Sequence, residues 1–520
     1  MKNCKIAGYI KTVALYVMFF LIMIFILSQK KEYHVDELLT YNLANAESWF
    51  SPVDGVTYSP ADEPFVAAMA SNGTFELGHI WRQQENDTHP PFYYVLVHAV
   101  CVLFPGKVSM RYAGAINILF ALLTLFLYRK ILYRLVDDEK VVFVLSIAFC
   151  LSGGILGIIS FLRMYVMVMF FVTAIAFVAI DNIEHFDIVQ FVLLWAITVC
   201  GALTHYYFIV YVFFLSLVMI FVMLTQKRFK EIICYVLVMG SAGGAALLIF
   251  PAIIDHLFKG GRGIESIENL RTSNLGEQLK NYIDIINQRL FGKFLGLMVI
   301  IIVFLLAADI VIYEKNEDKN ICHFNRIQAY RYSCLLLPSV CYVILVAKSA
   351  PYITDRYVAP IYTVLLAGMW GMLCTCIKNV YGNVKVRNIF ISFFATVVVI
   401  ASLANSKWDY LYTDSNERLN NSKKYGATSE AVVLYDEPWK VNPYYLEIKN
   451  CQSSVFYNMS SYQQLKENVD INELPDAITF FLVGMDSETF IRDFLADNSE
   501  YSITVDNGTW AYGHSYYLRK

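Results

Sequence analysis

Long apolar runs separated by short polar segments fill roughly the first 400 positions of the chain. About 20 residues of helix are needed to cross the hydrocarbon layer of a membrane, so this pattern predicts an all-α bundle of about eleven transmembrane helices. The predicted spans are approximately 9–28, 112–132, 141–159, 164–181, 188–204, 206–224, 232–254, 294–313, 331–347, 357–377 and 388–404. A further apolar stretch, 91–104, is short and includes a proline at its start.

Basic residues decide how this bundle is oriented, because cytoplasmic loops are enriched in Lys and Arg. If the stretch 91–104 does not cross, the basic segments all fall on one side of the membrane. These segments are the N-terminus, 129–140, 226–231, 314–331 and 378–387. We therefore predict a cytoplasmic N-terminus, a helix over 91–104 that lies at the outer surface or dips into it, and an extracytoplasmic tail. The first apolar run is too long for a signal peptide and is expected to remain as an anchor.

The tail has a different pattern. Apolar runs rich in β-forming residues (431–435, 477–483, 501–505 and 510–518) alternate with a helical stretch near 487–496. This alternation predicts a small mixed α/β domain. The expected organisation is a polytopic membrane domain over 1–404, with a first outer loop at 28–111, followed by an extracytoplasmic domain over 405–520.

Composition agrees with a membrane protein. The chain has 520 residues, of which 57% are hydrophobic and 16% charged, whereas soluble domains carry roughly 25% charged residues. The net charge of −3 gives no reason to expect nucleic acid as a partner. Most of the 11 cysteines lie in apolar runs without metal-ligand spacing, so we infer no disulfide framework.

Two adjacent carboxylates, Asp36 and Glu37, follow the first span by a few residues. Acidic residues favour helix N-termini, so one interpretation is a solvated helix start. The functional interpretation is a general base or a metal ligand at the mouth of the bundle, because a carboxyl group near an apolar surface holds its proton more tightly.

Basic and aromatic residues recur at the same predicted face. His89 precedes two prolines and an aromatic helix, and Arg163 and Arg356 each stand beside an aromatic residue at a span entrance. A single such charge is ordinarily a membrane anchor, but the set suits an anionic headgroup because Arg binds phosphate in a bidentate manner. The candidate phosphate-binding residues are His89, Arg163, Tyr165, His205, Tyr206, Lys348, Arg356 and Tyr357.

These motifs, in this order, resemble the GT-C membrane glycosyltransferases. The resemblance is nearer to bacterial proteins with an RgtA/B/C/D-like domain, which are related to the protein O-mannosyltransferases of glycosyltransferase family 39 and to the aminoarabinose transferase of lipid A. It rests on Asp36-Glu37, the run 89–94, the run 111–115, Arg163-Met164-Tyr165 and Arg356-Tyr357. It covers roughly residues 1–400.

The resemblance implies transfer of a sugar, with inversion, from a polyprenyl monophosphate to a glycan, lipid or protein acceptor outside the cytoplasm, in a bacterial plasma membrane. Asp36 would be the base or would help to bind a divalent metal ion, the only cofactor implied, and Glu37 would orient the site. The cations would bind the donor phosphate. The sequence alone does not say which carboxylate is the base.

Two other classes of protein stay open at this stage. A lipid or polysaccharide flippase also needs a large bundle, but it should have a polar central cavity, and the predicted span interiors carry almost no ionisable residues. A non-catalytic membrane scaffold would use its tail to bind a partner and would not depend on Asp36 or Arg163.

Overall fold

The computed structural model describes residues 2–46, 51–60, 64–315, 325–381 and 383–520. Residues 316–324 of the predicted loop 314–331 lie outside these ranges. The α-helices are α1 (Lys2–Ser28), α2 (Val35–Asn45), α3 (Pro64–Met69), α4 (Gly78–Asn86), α5 (Phe92–Cys101), α6 (Met110–Leu135), α7 (Glu139–Cys150), α8 (Gly153–Ile159), α9 (Tyr165–Asp181), α10 (Ile188–Ala202), α11 (Tyr206–Thr225), α12 (Phe229–Ile249), α13 (Ile253–Phe258), α14 (Gly261–Thr272), α15 (Leu275–Phe291), α16 (Leu295–Lys315), α17 (Arg326–Ser349), α18 (Tyr362–Val380), α19 (Val384–Asn405), α20 (Asn416–Tyr425), α21 (Tyr445–Ile448), α22 (Tyr462–Asn468) and α23 (Ser487–Asp497).

Six strands form one sheet. They are β1 (Thr57–Tyr58), β2 (Glu430–Tyr435), β3 (Ser453–Tyr457), β4 (Ala477–Val483), β5 (Ser502–Trp510) and β6 (Gly513–Arg519), in the order β1-β3-β2-β4-β6-β5. The three central strands are parallel, and the outer pairs are antiparallel. Helices α22 and α23 supply apolar side chains to the core on one face of the sheet. The predicted mixed α/β tail is therefore confirmed.

Two compact units make up the chain. The bundle unit comprises the described residues of 1–28, 84–93 and 114–408, and the sheet unit comprises those of 29–83, 94–113 and 409–520. The first loop thus packs with the tail, and it contributes β1, where Thr57 pairs with Val455. The boundary predicted between residues 404 and 405 stays a prediction.

Among the described residues, eight helices are long and apolar enough to cross a membrane. Helices α7 and α8 add a ninth span if they are counted together, although they meet at a bend of 48°. Helices α9 and α10 were also predicted as spans but have 17 and 15 residues, so the number eleven is not confirmed. Helix α5 has only 10 residues, which is too short to cross, and its position at the outer surface stays a prediction.

Close packing of α8 against the end of α19 depends on a glycine. A side-chain carbon added at Gly153 would overlap the hydroxyl of Ser406 and would lie 2.7 Å from the carbonyl oxygen of Ser402. The backbone N–H of Gly153 also donates to the Ser402 hydroxyl at 3.0 Å. One helical turn later, a carbon added at Gly157 would meet nothing within 4 Å.

We expect Gly153→Ala to destabilise the bundle by about 1–3 kcal/mol, because the new methyl group overpacks this contact. Gly157→Ala is the matched control and should be neutral or slightly stabilising, since it adds helix propensity without a clash. Thermal unfolding of both variants in detergent measures the difference. Equal unfolding midpoints would contradict the packing described.

Candidate active site

Arg163 occupies the tight turn that joins α8 to α9 in the bundle unit. Its backbone N–H donates to the carbonyl oxygen of Phe161 at 2.8 Å, which closes the turn. The residue is 4% exposed, so its guanidinium lies away from bulk water. A charge removed from water in this way needs a partner of opposite charge or a set of hydrogen bonds.

His89 is one neighbour of this guanidinium. Arg163 Nη2 lies 3.5 Å from His89 Nε2, and His89 Nδ1 lies 2.9 Å from Asp87 Oδ2. A carboxylate can only accept, so His89 Nδ1 carries the proton that is donated to Asp87. Asp87, His89 and Arg163 therefore form a line in which an acid faces two basic groups.

Asp87 supplies the negative charge of this line. Burial raises the pKa of its carboxyl, but the hydrogen bond and charge of His89, aided by Arg163, outweigh burial and hold that pKa below its ordinary value. Asp87 is therefore ionised at neutral pH and fixes the His89 ring. Sequence reasoning singled out His89 alone, although the motif Asp87-Thr88-His89 contained the signal.

His205 stands beside His89, with ring centres 5.6 Å apart. Its Nδ1 accepts the backbone N–H of Tyr207 at 3.1 Å and so caps α11. Burial, together with the positive charges of His89, Arg163 and Arg356, holds the pKa of His205 well below its ordinary value. The ring is therefore neutral at physiological pH, with its proton on Nε2.

Arg356 completes the cluster from the segment before α18. Its guanidinium lies 5.6 Å from the ring centre of Phe161 and 5.5 Å from that of Tyr357, distances typical of cation–π contacts. Tyr342 donates its hydroxyl proton to the carbonyl oxygen of Tyr357 at 2.6 Å and so fixes this segment. The preceding residue, Asp355, pairs with Arg289 at 3.4 Å.

A single backbone bond helps to bring these groups together. The N–H of Phe92, just after the two prolines, donates to the carbonyl oxygen of Leu203 at 3.0 Å. This bond places the turn of His89 beside the turn of His205. Tyr165 fills the space next to them, with its ring centre 5.4 Å from that of His205.

Two predicted residues are engaged elsewhere. The hydroxyl of Tyr206 lies 2.6 Å from His256 Nδ1, and the other nitrogen of that histidine lies 3.2 Å from the carbonyl oxygen of Glu85. Lys348 donates to the carbonyl oxygen of Ser273 at 2.6 Å. These bonds link turns and helix ends. The other six predicted residues form one group, which we call the cation cluster: His89, Arg163, Tyr165, His205, Arg356 and Tyr357.

The adjacent carboxylates Asp36 and Glu37 lie in the sheet unit and differ in their exposure and in their partners. Glu37 is fully buried and forms an ion pair with Lys30 at 3.0 Å. It also accepts the backbone N–H of His34 at 2.8 Å, which completes a capping box at the start of α2. Asp36 has a side chain 27% exposed, with Oδ2 lying 3.7 Å from His34 Nδ1. Asp36 is thus the carboxylate with access to solvent.

Lys30 belongs to a chain of buried charges that sequence reasoning missed. Arg418, on α20, forms ion pairs with both Glu32 and Glu447, and all three residues are buried. Lys30 and Arg418 thus face the carboxylates of Glu32, Glu37 and Glu447, so the full set would carry one surplus negative charge. Burial raises the pKa of Glu32 to about 7 despite the opposing charge of Arg418.

No group of three or more His, Cys, Asp or Glu side chains suited to a metal ion occurs within the described ranges. The carboxylate of Glu37 is already engaged by Lys30 and by the N–H of His34. Asp36 and Glu37 therefore do not by themselves form a metal site of the usual ligand number, and the divalent metal ion stays a prediction.

Comparisons with known proteins show the fold. No family model and no curated protein matches the sequence. Among solved structures, the chain is similar to ArnT from Cupriavidus metallidurans bound to undecaprenyl phosphate, with a TM-score of 0.54, 9% identity and 97% of each chain covered. Two further similarities are to apo ArnT (TM-score 0.48, 9% identity, 92% and 96% covered) and to the oligosaccharyltransferase of Archaeoglobus fulgidus in complex with Zn and sulfate (TM-score 0.44, 10% identity, 90% and 68% covered).

At 9% identity, the similarity to ArnT bound to undecaprenyl phosphate concerns the fold alone. The chain is a multi-pass membrane protein with the GT-C fold. This confirms the fold that the ordered motifs of the sequence predicted.

The pKa of Glu32 leads to a prediction about pH. A folded-state pKa of about 7, compared with an ordinary value of 4.5, means that the folded protein holds more protons between these pH values. The contribution of Glu32 to stability is therefore fully present below pH 4.5, is lost as the pH rises through 7, and is constant above that. The shift corresponds to a change on the order of 3 kcal/mol.

Thermal unfolding of wild type and Glu32→Gln across this pH range tests the assignment. Because glutamine does not titrate, the stability of wild type relative to the variant should fall as the pH rises from 4.5 to 7. Parallel curves for the two proteins would contradict a proton held at Glu32.

Proposed function

We propose that this protein is a membrane glycosyltransferase that moves a sugar from a polyprenyl-phosphate donor to an acceptor on the extracytoplasmic face of a bacterial plasma membrane, with inversion at the sugar carbon. The observation that carries the proposal is the cation cluster, in which Arg163, Arg356 and two histidines converge with Asp87 as the neighbouring carboxylate. The shared fold with ArnT, which was crystallised with undecaprenyl phosphate, supports the donor class.

The cluster suits a phosphate that gains charge. When the bond between the sugar carbon and the phosphate oxygen breaks, its electron pair moves to the departing phosphate. Arg163 and Arg356 would stabilise that charge, and the Nε2–H of His205 is a neutral donor beside them. Groups fixed in place before the reaction stabilise developing charge most effectively where water is scarce. Tyr165 and Tyr357 hold the rings and cations in position.

Asp36 would act as the base. It accepts the proton of the acceptor hydroxyl as the oxygen attacks the sugar carbon from the side opposite the phosphate, which inverts that centre. Its partial exposure supports this assignment over Glu37, because the carboxylate of Glu37 is bound to Lys30. Glu37 would instead orient α2. No step requires the divalent metal ion, which stays a separate prediction.

Donor turnover by purified protein in lipid tests the proposal, with a panel of sugars linked to polyprenyl phosphate. We expect one donor to lose its sugar in the presence of wild type. Arg163→Ala should lower turnover by roughly 100- to 1000-fold, the loss typical of removing one group that stabilises a developing charge. Arg326→Ala, at an exposed position at the start of α17, is the control and should keep wild-type turnover.

Direct binding of the polyprenyl phosphate distinguishes the other outcomes. A donor that is neither consumed nor bound by wild type would refute the proposal. Binding that depends on Arg163 but leads to translocation of the lipid, with the sugar still attached, would favour a flippase instead.

The two adjacent carboxylates give a separate prediction. Asp36→Asn should reduce turnover by roughly 100-fold or more, as expected for loss of a general base, with an unchanged unfolding temperature. Glu37→Gln should instead destabilise the protein, by roughly 3–5 kcal/mol, because it leaves the buried Lys30 without its counter-ion. Turnover and thermal unfolding of both variants are the measurements.

Normal turnover by both folded variants would overturn the role of Asp36. It would leave the cation cluster untouched and would point to an acceptor that needs no base, such as a phosphate group.

A further inference from the structure

The segment 29–34, which leads into α2 and therefore to Asp36, is attached to the tail in the sheet unit. The backbone N–H of Lys31 donates to the carbonyl oxygen of Leu411 at 2.8 Å. The ammonium group of the neighbouring Lys30 donates to the carbonyl oxygen of Tyr410. Two consecutive residues of the segment are thus bound to two consecutive residues at the start of the tail.

Arg418 forms a further attachment between the segment and the tail. One of its terminal nitrogens pairs with Glu32 of the segment, and the other pairs with Glu447 of the tail. The guanidinium also lies 4.5 Å from the ring centre of Trp510. A planar group with separate donors can hold two carboxylates in this way, whereas the single ammonium group of a lysine offers no such fork.

On the tail side of this attachment, Glu447 and Arg418 are themselves held in place by hydrogen bonds. Asn507 donates to Glu447 at 2.9 Å and to the carbonyl oxygen of Arg418 at 3.2 Å, and the hydroxyl of Ser515 donates to Glu447 at 3.3 Å. Arg418 is therefore held by α21, β5 and β6 together. The tail presents it to Glu32 as a rigid group.

On the other side of this attachment, Glu32 is close in sequence to the candidate base, Asp36. Glu32 is four residues before Asp36, and Lys30, two residues before Glu32, pairs with Glu37, the residue next to that base. His34 lies in the same stretch: its backbone N–H donates to the Glu37 carboxylate, and its ring Nδ1 accepts the backbone N–H of Asp36. We therefore expect a shift of Glu32 to move Asp36, because a short stretch of chain and the contacts of Lys30 and His34 connect them.

Burying this many charges is a poor way to gain stability, because desolvation offsets much of the attraction between them. Such networks do, however, define one geometry, since each charge accepts few arrangements of its partners. That property is useful where a reacting group must be held to within a fraction of an ångström.

We propose that Arg418 is a positioning residue for sugar transfer: by holding Glu32 against the tail, it fixes the segment 29–34, which leads into α2 and so to Asp36. The inference rests on the proposed function, since it assigns to the tail a role in placing the base. A misplaced reacting group can lose roughly 100-fold in rate without losing its ligand.

Kinetics of Arg418→Met in the full-length protein test the proposal. We expect kcat to fall by roughly 10- to 100-fold, while the KM for donor and the affinity for polyprenyl phosphate stay unchanged. Arg418→Lys should recover only part of the loss, because it cannot hold both carboxylates. Lys466→Met, which breaks the exposed ion pair with Asp497 in the same tail, is the matched control and should leave kcat unchanged.

Arg418→Met could fail to fold because it leaves Glu32 and Glu447 buried without a counter-ion. The triple variant Glu32→Gln/Arg418→Met/Glu447→Gln removes those charges together and should fold. It should still show the lower kcat, because the segment is no longer attached to the tail. A folded triple variant with wild-type kcat would overturn the proposal.

A double-mutant comparison separates this proposal from the proposed function. If Arg418 acts through Asp36, Arg418→Met should cause little further loss of turnover in the Asp36→Asn background. If the fold-losses in turnover of Asp36→Asn and Arg418→Met multiply fully in the double variant, positioning through Asp36 is refuted. A weaker affinity of Arg418→Met for polyprenyl phosphate would refute it as well. Wild-type turnover by Asp36→Asn alone would instead refute the base assignment of the proposed function.

Discussion

Charge that is buried must be paired, and this constraint explains the arrangement of both units. In the bundle unit, Arg163 and His89 lie along a line that ends at Asp87. In the sheet unit, Lys30 and Arg418 are surrounded by three carboxylates. Each set is formed by residues far apart in sequence, so the charges select one tertiary arrangement from many that would satisfy the apolar pattern alone.

The fold could be predicted from sequence because hydrophobic periodicity and loop charge are local signals. The apolar runs became helices, and three of the predicted β-rich runs became β2, β4 and β5. The prediction of one continuous β-rich run over 510–518 was wrong in one detail. Trp510 ends β5, and Ala511, with φ of +47°, turns the chain before β6 begins at Gly513. The two-residue β1 was missed because so short a strand exists only through its pairing with β3.

The candidate site was harder to predict, because identical residue types divide into different roles according to long-range partners. The sequence does not show which of the adjacent acids Asp36 and Glu37 will be paired. In the structure, the described ion pair of Lys30 is with Glu37. Tyr206 and Lys348 have the chemistry expected of phosphate ligands, yet their described bonds go to His256 and to the carbonyl oxygen of Ser273. No local pattern encodes which cation will meet which acid.

The charges around Arg418 and the cation cluster differ in composition, and this difference bears on the chemistry that each can perform. The chain of charges around Arg418 has more carboxylates than cations, so its balance is restored from within when Glu32 holds a proton. In the cation cluster, the charges that act on His205 are the positive ones of His89, Arg163 and Arg356, and Asp87 pairs with His89. A proton balances the charges of the first set. A phosphate group carries negative charge and acceptor oxygens that guanidinium groups bind well, and this complementarity supports the proposed phosphate-linked donor over a neutral sugar alone.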